Sequence, residues 1–121
     1  MNVETWQLYA RCWSQTDEDR RASLPERVTD DVRYRDPNAE VAGRDALAAY
    51  MAGFQRAFPG HGFEIREVVA HHGRSAAFWR QTDGAGNTVH DGVSFGAHDE
   101  RGRLRDITGF FGAVAGPTDV D

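Results

Sequence analysis

The second half of the chain is a series of extended segments cut apart by short turn-forming runs, and this restricts the fold more than any other feature of the sequence. Phe63 to His72 ends at Gly73, Ser75 to Thr82 ends at Asp83-Gly84-Ala85-Gly86-Asn87, Thr88 to Ala97 ends at Asp99-Glu100-Arg101-Gly102, and a last segment runs from Arg103 to about Val114. Gly, Asn and Asp supply the tight backbone turns that hairpins need. Connections this short join antiparallel neighbours, because a parallel pair needs a crossover of about a dozen residues or more. The second half therefore predicts a four-stranded antiparallel meander.

The first half carries helical periodicity instead. Val3, Trp6, Ala10 and Trp13 recur at helical spacing before Ser14-Gln15, which predicts a first amphipathic helix with an aromatic stripe. Thr16-Asp17-Glu18-Asp19 has the form of a capping box and opens a second helix, which Pro25 interrupts or restarts. Val32, Tyr34 and Asp36 alternate with Arg33 and Arg35 in a short strand that stops at Pro37. A third helix runs from about Gly43 with Leu47, Tyr50, Met51, Phe54 and Phe58 on one face, and Pro59-Gly60 ends it.

Helices first and long strands afterwards give an α+β fold: a cone-shaped barrel of a curved antiparallel sheet packed against three N-terminal helices. A sheet curved around helices leaves a hollow. Adjacent apolar pairs, Val68-Val69, Phe78-Trp79 and Phe110-Phe111, put apolar side chains on both faces of the sheet. One face fills the cone, and a second copy of the chain is the simplest cover for the other, so a homodimer is expected.

With 121 residues and 40% hydrophobic content, the chain suits one core. A single domain is expected over residues 1–115, with 116–121 as a short frayed tail. Fourteen basic against nineteen acidic side chains give a net charge of -5. Basic and acidic residues are interspersed, which disfavours a nucleic-acid partner. The lone cysteine, Cys12, allows no intrachain disulfide. The N-terminus lacks the basic start and apolar run of an export signal, and no stretch is long and apolar enough to span a membrane, so a cytoplasmic location with no membrane partner is expected.

Several segments in order resemble the nuclear transport factor 2-like superfamily, in its SnoaL-like and ketosteroid-isomerase-like branch. They are Asp30-Asp31-Val32-Arg33-Tyr34-Arg35-Asp36-Pro37, Gly43-Arg44-Asp45-Ala46-Leu47, Phe58-Pro59-Gly60, Gly102-Arg103-Leu104 and Gly109-Phe110-Phe111. The resemblance implies a pocket between helices and sheet, frequent homodimers, and members that are isomerases, cyclases, dehydratases, epoxide hydrolases or non-enzymatic binding modules. Such a fold hosts many chemistries, so activity has to be argued residue by residue.

Asp36 stands where the isomerase-like members place a proton-shuttling carboxylate. Ringed by Tyr34, Tyr50 and Phe54, it would be partly desolvated and act as a base; alternatively Asp-Pro is a turn signal and the side chain caps backbone N–H groups. Ungapped counting puts Cys12 and Ser94 at the places of the isomerases' two oxyanion donors, a tyrosine and a protonated aspartic acid. A thiol and a hydroxyl are weaker donors, which disfavours steroid isomerisation by that route, and Tyr9 or Trp13 are candidate substitutes. If Ser94 faces inward, period-2 alternation turns His90, Gly92 and Gly96 inward too, making His90 the second catalytic candidate; a bulge would turn Asp91, Val93 and Phe95 inward instead. Phe78 and Arg80 share one face of their strand and Trp79 and Gln81 the other, and only one pair can line the cone. Arg80 reads as a rim or surface charge, the alternative being an inward cation or water-orienting group near Asp36; Asp106 reads as half of a cross-strand charge pair, although the resemblance to SnoaL-like cyclases implies an acid/base role for a late carboxylate.

His71 and His72 point to opposite faces, and no spacing suits a metal site. No glycine-rich phosphate loop opens a helix, so neither metal nor cofactor is expected. These residues lead to a cofactor-free enzyme of isomerase, cyclase or dehydratase type that moves a proton next to a carbonyl. Its substrate would be a small, hydrophobic, oxygenated molecule. Asp36 and His90 would be catalytic, and Tyr9, Cys12, Trp13, Tyr34, Tyr50, Phe54, Phe58, Phe78, Ser94, Phe110 and Phe111 would line the pocket. The alternative is a non-catalytic ligand-binding or dimerisation module of the same fold. A third reading, hydrolysis of an epoxide, needs Asp36, Arg80 and Asp91 all to face inward.

Overall fold

Capping and breaker residues set the helix limits in the computed structural model, which describes residues 2–112. The expected strand end near Val114 and the tail at 116–121 lie outside the described residues. Helix α1 spans Asn2–Arg11 and buries Trp6, Tyr9 and Ala10 on one stripe, with Cys12 and Trp13 buried in the turn that follows. Helix α2, Asp17–Ser23, starts where the Thr16 hydroxyl accepts the Asp19 N–H at 3.1 Å, and Pro25 converts its continuation into a single 3-10 turn, Leu24–Glu26. Arg20 is only 2% exposed, yet every direction of its guanidinium is used: it donates to the Cys12 and Gln15 carbonyls, to Asp17 and to Gln55. That cluster ties α2 to the turn after α1 and to helix α3, Arg44–Ala57.

The strands are β1 Val28–Asp36, β2 Ala39–Ala42, β3 Gly62–His71, β4 Arg74–Thr82, β5 Thr88–His98 and β6 Leu104–Phe111. They form one sheet in the order β2-β1-β6-β5-β4-β3. The predicted meander is β3 to β6, and the α+β cone is the fold. The sheet differs from the all-antiparallel expectation in one pairing, because β1 runs parallel to β6. Crossing through α3 places β3 at the far edge, and the meander then walks back until β6 lies beside β1. Strand β2, which the sequence reading passed over, is a four-residue return from the Pro37-Asn38 turn, with Asp36 paired to Ala39.

Irregular pairings bend the sheet. The β3–β4 register shifts between Ile65 and Glu67, so one extra residue on β3 reverses which parity faces inward. Phe63, Ile65 and Val68 consequently all pack on the core, while Val69 is exposed. The adjacent pair Val68-Val69 is thus accounted for by a bulge as well as by apolar cover on both faces.

The inner face of β5 alternates His90, Gly92, Ser94 and Gly96, and its two glycines are sites of close packing. A Cβ on Gly92 would lie 2.3 Å from the Trp79 ring, and one on Gly96 would lie 2.6 Å from Leu104 and 2.8 Å from Trp6. Both indoles therefore lie directly over bare backbone. The added carbon in Gly96→Ala should cost about 2 kcal/mol through overpacking. A Cβ on Gly109 comes no nearer than 3.4 Å to any atom, so Gly109→Ala should cost less than about 1 kcal/mol. Urea unfolding of the two variants checks this order.

Candidate active site

A cavity of about 450 Å³ opens between α1, α3 and the inner face of the sheet. Its wall is aromatic: Trp13 makes ring contacts with Tyr34, Tyr50, Phe54 and Phe63, and Phe63 continues the chain of contacts to Trp79. Few polar groups interrupt this surface, and they fall at two ends.

At one end is Asp36, the last residue of β1. Tyr34, two residues earlier and so on the same face, donates its hydroxyl to Oδ2 at 2.6 Å. Tyr50 reaches from α3 to both oxygens, at 2.9 and 3.1 Å. The backbone N–H groups of Asn38 and Ala39 donate to Oδ1 at 2.8 and 3.1 Å. The carboxylate thus caps the turn around Pro37 and also lies in the cavity wall. Four donor groups match the roughly four lone-pair sites of a carboxylate.

Across the sheet from Asp36 stands Ser94. A Cβ on Gly109 would lie 3.4 Å from Ser94 Oγ and 3.7 Å from Asp36 Cβ, so the two side chains face each other over a bare stretch of β6. Ser94 Oγ accepts the Trp79 indole N–H at 3.0 Å, which leaves its own proton free to donate. At the other end, near the β4–β5 turn, are Gln81 and His90, paired across the two strands. His90 lies four residues along β5 from Ser94, about 13 Å at strand spacing. Asp36 and His90 therefore share the cavity without sharing a single bond to act on, and Ser94 is the group that faces Asp36.

Tyr9, Trp13, Tyr34, Tyr50, Phe54 and Phe58 also line this cavity, as do Ser94 and Phe111 on the sheet side. Three expected lining residues do not. Cys12 sits in the turn after α1 and points toward α2, with the Leu8 carbonyl at 3.6 Å and Ser23 Oγ at 3.7 Å; burial pushes its thiol pKa up. Phe78 and Phe110 belong to the outer face, where both are exposed. The inward pair on β4 is Trp79 and Gln81, because Trp79 opposes Gly92 and Gln81 opposes His90. The turn between β4 and β5 held that signal: once His90 and Gly92 face inward, their cross-strand partners must as well.

Arg80 and Asp91 pair with each other at 2.8 Å on the outer face, so the inward Asp-Arg-Asp cluster needed for epoxide hydrolysis is not formed. Asp106 pairs with Arg35 across β1 and β6 at 2.8 Å, as a cross-strand charge pair. His71 and His72 are exposed at the β3–β4 turn with their Nδ1 atoms 3.2 Å apart. Among the described residues no group of three or more His, Cys, Asp or Glu could hold a metal ion, and no helix is long and apolar enough to cross a membrane.

A helix-lined cone around a cavity sized for a small molecule defines the class of protein. The family model for the SnoaL-like domain matches residues 6–108, and the chain belongs to that family. A solved structure from Agrobacterium tumefaciens, provisionally described as an isomerase of the SnoaL-like family, superposes with a TM-score of 0.86 at 24% identity, covering 93% of this chain and 97% of that one. Another from a Jannaschia species, provisionally described as a SnoaL-like polyketide cyclase, gives 0.73 at 22% identity over 90% and 83% of the two chains. A nuclear transport factor 2-like protein of unknown function from Mesorhizobium loti gives 0.68 at 21% identity, covering 93% and 91%. These likenesses carry the fold. No curated protein matches the chain.

All three tyrosines of the chain, Tyr9, Tyr34 and Tyr50, have raised pKa values. Burial is the main cause for each. For Tyr34 the nearby Tyr9 and the bond to Asp36 add to it, and for Tyr50 the bond to Asp36 does. A group raised in the folded state stabilises fully below its unfolded value, here near pH 10, and that stability is lost as pH climbs toward the native values. The native protein should show no tyrosinate absorbance near 295 nm at pH 10 to 11, where tyrosines of the urea-unfolded chain go from about half to about nine-tenths ionised; a native titration near pH 10 would contradict this burial.

Proposed function

We propose that this protein is a cofactor-free enzyme of isomerase or cyclase type, with Asp36 as the proton acceptor for a carbon next to a carbonyl. One observation carries the reading: a carboxylate and a free-proton hydroxyl, Asp36 and Ser94, face each other over Gly109 in an otherwise aromatic cavity. In the proposed step the substrate C–H bond breaks and its proton moves to an Asp36 oxygen. The electron pair delocalises onto the carbonyl oxygen, which accepts a hydrogen bond from Ser94. The proton then returns at another carbon, or the enolate carbon attacks a second carbonyl of the same molecule, whose oxygen takes up the proton held by Asp36 as the C–C bond forms.

To accept a proton Asp36 must release one of its donors. Tyr50 is the group to leave, because it divides its hydrogen bond between both oxygens and is less buried than Tyr34. Its hydroxyl could then turn to the substrate oxygen. The substrate body would be hydrophobic and ring-sized, held by the aromatic wall.

The same saturation of Asp36 favours a second reading, a binding module in which the carboxylate only fastens the turn and α3. Exchange of α-protons for deuterium in a bicyclic aromatic ketone, followed by NMR, separates the two. The wild-type protein should catalyse the exchange, and Asp36→Asn should slow it at least about 100-fold while ketone binding persists. A ketone that binds without exchange selects the module, and exchange unchanged in the Asn variant removes Asp36 as base.

A homodimer through the outer face belongs to the proposal. Phe78, Val93 and Phe110 lie side by side across β4, β5 and β6, and Phe95 contacts Phe110 with ring centroids 5.8 Å apart. Apolar area of this kind on an open sheet calls for cover. Light scattering should give twice the chain mass, falling to one chain mass in Phe110→Glu.

A further inference from the structure

We infer that the β3–β4 turn binds a late first-row divalent transition-metal ion, copper(II) most tightly, which His71 and His72 chelate through their two Nδ1 atoms. Neither residue lines the cavity, so the inference is independent of the chemistry proposed there.

Adjacent residues of a regular strand point to opposite faces, and on that rule the two imidazoles should stand apart. The turn overrides it. His71 pairs with Arg74, which leaves His72-Gly73 as a two-residue hairpin turn with φ of 50° at His72 and 75° at Gly73. Among the described residues His72 is the one non-glycine position with positive φ. In that conformation its ring lies beside that of His71: the ring centroids are 5.3 Å apart, the planes cross at 75°, and the Nδ1 atoms are separated by 3.2 Å. A turn of this kind favours Asn followed by Gly. Histidine serves the hairpin less well than Asn, and what it brings is a second imidazole.

The separation of the two nitrogens suits a shared ion. Metal–nitrogen bonds of about 2.0–2.1 Å put two ligands about 2.9 Å apart at a right angle and about 3.3 Å apart at the tetrahedral angle. The observed 3.2 Å falls between these values, so an ion can enter with small ring movements. Both residues are exposed, and among the described residues neither ring makes any other hydrogen bond. Arg74 reaches the His72 carbonyl at 3.5 Å and occupies neither ring. In the metal-free pair one Nδ1 donates to the other. When the ion binds, that proton passes through water to Nε2 of the same ring, and both Nδ1 lone pairs turn to the metal.

The donor set selects the ion. Imidazole nitrogens suit copper, zinc and nickel, whereas calcium and magnesium require oxygen ligands. Copper(II) stands highest in the affinity order of the divalent series. Among the described residues no third His, Cys, Asp or Glu joins the pair. Water fills the other positions, which makes the site open and exchangeable, unlike a closed structural one.

The test titrates the full chain with copper(II) and with zinc(II) by calorimetry, and counts the imidazoles on copper(II) at one equivalent by electron spin-echo modulation. The native protein should hold one copper(II) per chain on two imidazoles, and zinc(II) should bind more weakly. His72→Asn gives the turn its favoured pair, so its urea midpoint should stay level or rise. That variant should bind copper(II) at least about tenfold more weakly, on one imidazole, because the second donor no longer acts at high effective concentration. His71→Ala should weaken binding to the same degree. One imidazole or none on copper(II) in the native protein, an affinity unchanged in both variants, or zinc(II) bound more tightly than copper(II) overturns the site.

Discussion

The contact of two indoles with bare strand backbone is what the rest of the structure depends on. Trp6 from α1 and Trp79 from β4 lie over Gly96 and Gly92, where any side chain would displace them. Trp6 also donates to Ser75 Oγ at 2.8 Å; Ser75 in turn is 2.6 Å from His98 Nε2, and His98 Nδ1 is 3.0 Å from the Gly102 carbonyl. The helix is thereby fastened to the sheet at one end, while Trp79 holds Ser94 in place farther along. Burial drives this packing, but the hydrogen bonds select one orientation of each ring. The space left between the two indoles is where a small molecule has room.

Asp36 carries a comparable burden on the opposite wall. One carboxylate joins β1, the Pro37 turn and α3 through four donors. Fastening these elements and the proposed role as a base compete for the same lone pairs. The proposed release of Tyr50 rests on its divided hydrogen bond, since a shared hydrogen bond is weaker at each acceptor than an undivided one. Tyr34 is more deeply buried, and among the described residues its hydroxyl bonds to Asp36 alone.

Much of the fold could be read in the sequence because its signals were local. Capping at Thr16, the break at Pro25 and the turn runs after Thr82 and His98 act within a few residues, and each sits where it was expected. For β5 the sequence left two faces open, His90, Gly92, Ser94 and Gly96 or Asp91, Val93 and Phe95, and the structure turns His90 and Ser94 into the cavity. The β1–β6 pairing was not, because parallel neighbours distant in sequence leave no turn between them to read. Strand β2 is too short to carry a period. The face of β4 remained open since Phe78 and Trp79 are both large and apolar; only pairing with Gly92 and His90 decides between them. Cys12 was misplaced by counting residues without gaps, which ignores that a helix turn rotates each position by about 100°.

The parallel pairing of the first strand with the last has a consequence for how the chain acquires its shape. The carbonyl of Arg27 receives the N–H of Leu104, and Arg35 is bound to Asp106 and Thr108, so contacts that complete the wall join segments more than seventy residues apart. Closing so large a loop is entropically slow, and proteins dominated by distant pairings fold in milliseconds to seconds. During synthesis the α1–α3 segment must wait, with its tryptophans and phenols unsheltered, until β6 has left the ribosome. The hollow is the last part of the molecule to come into being.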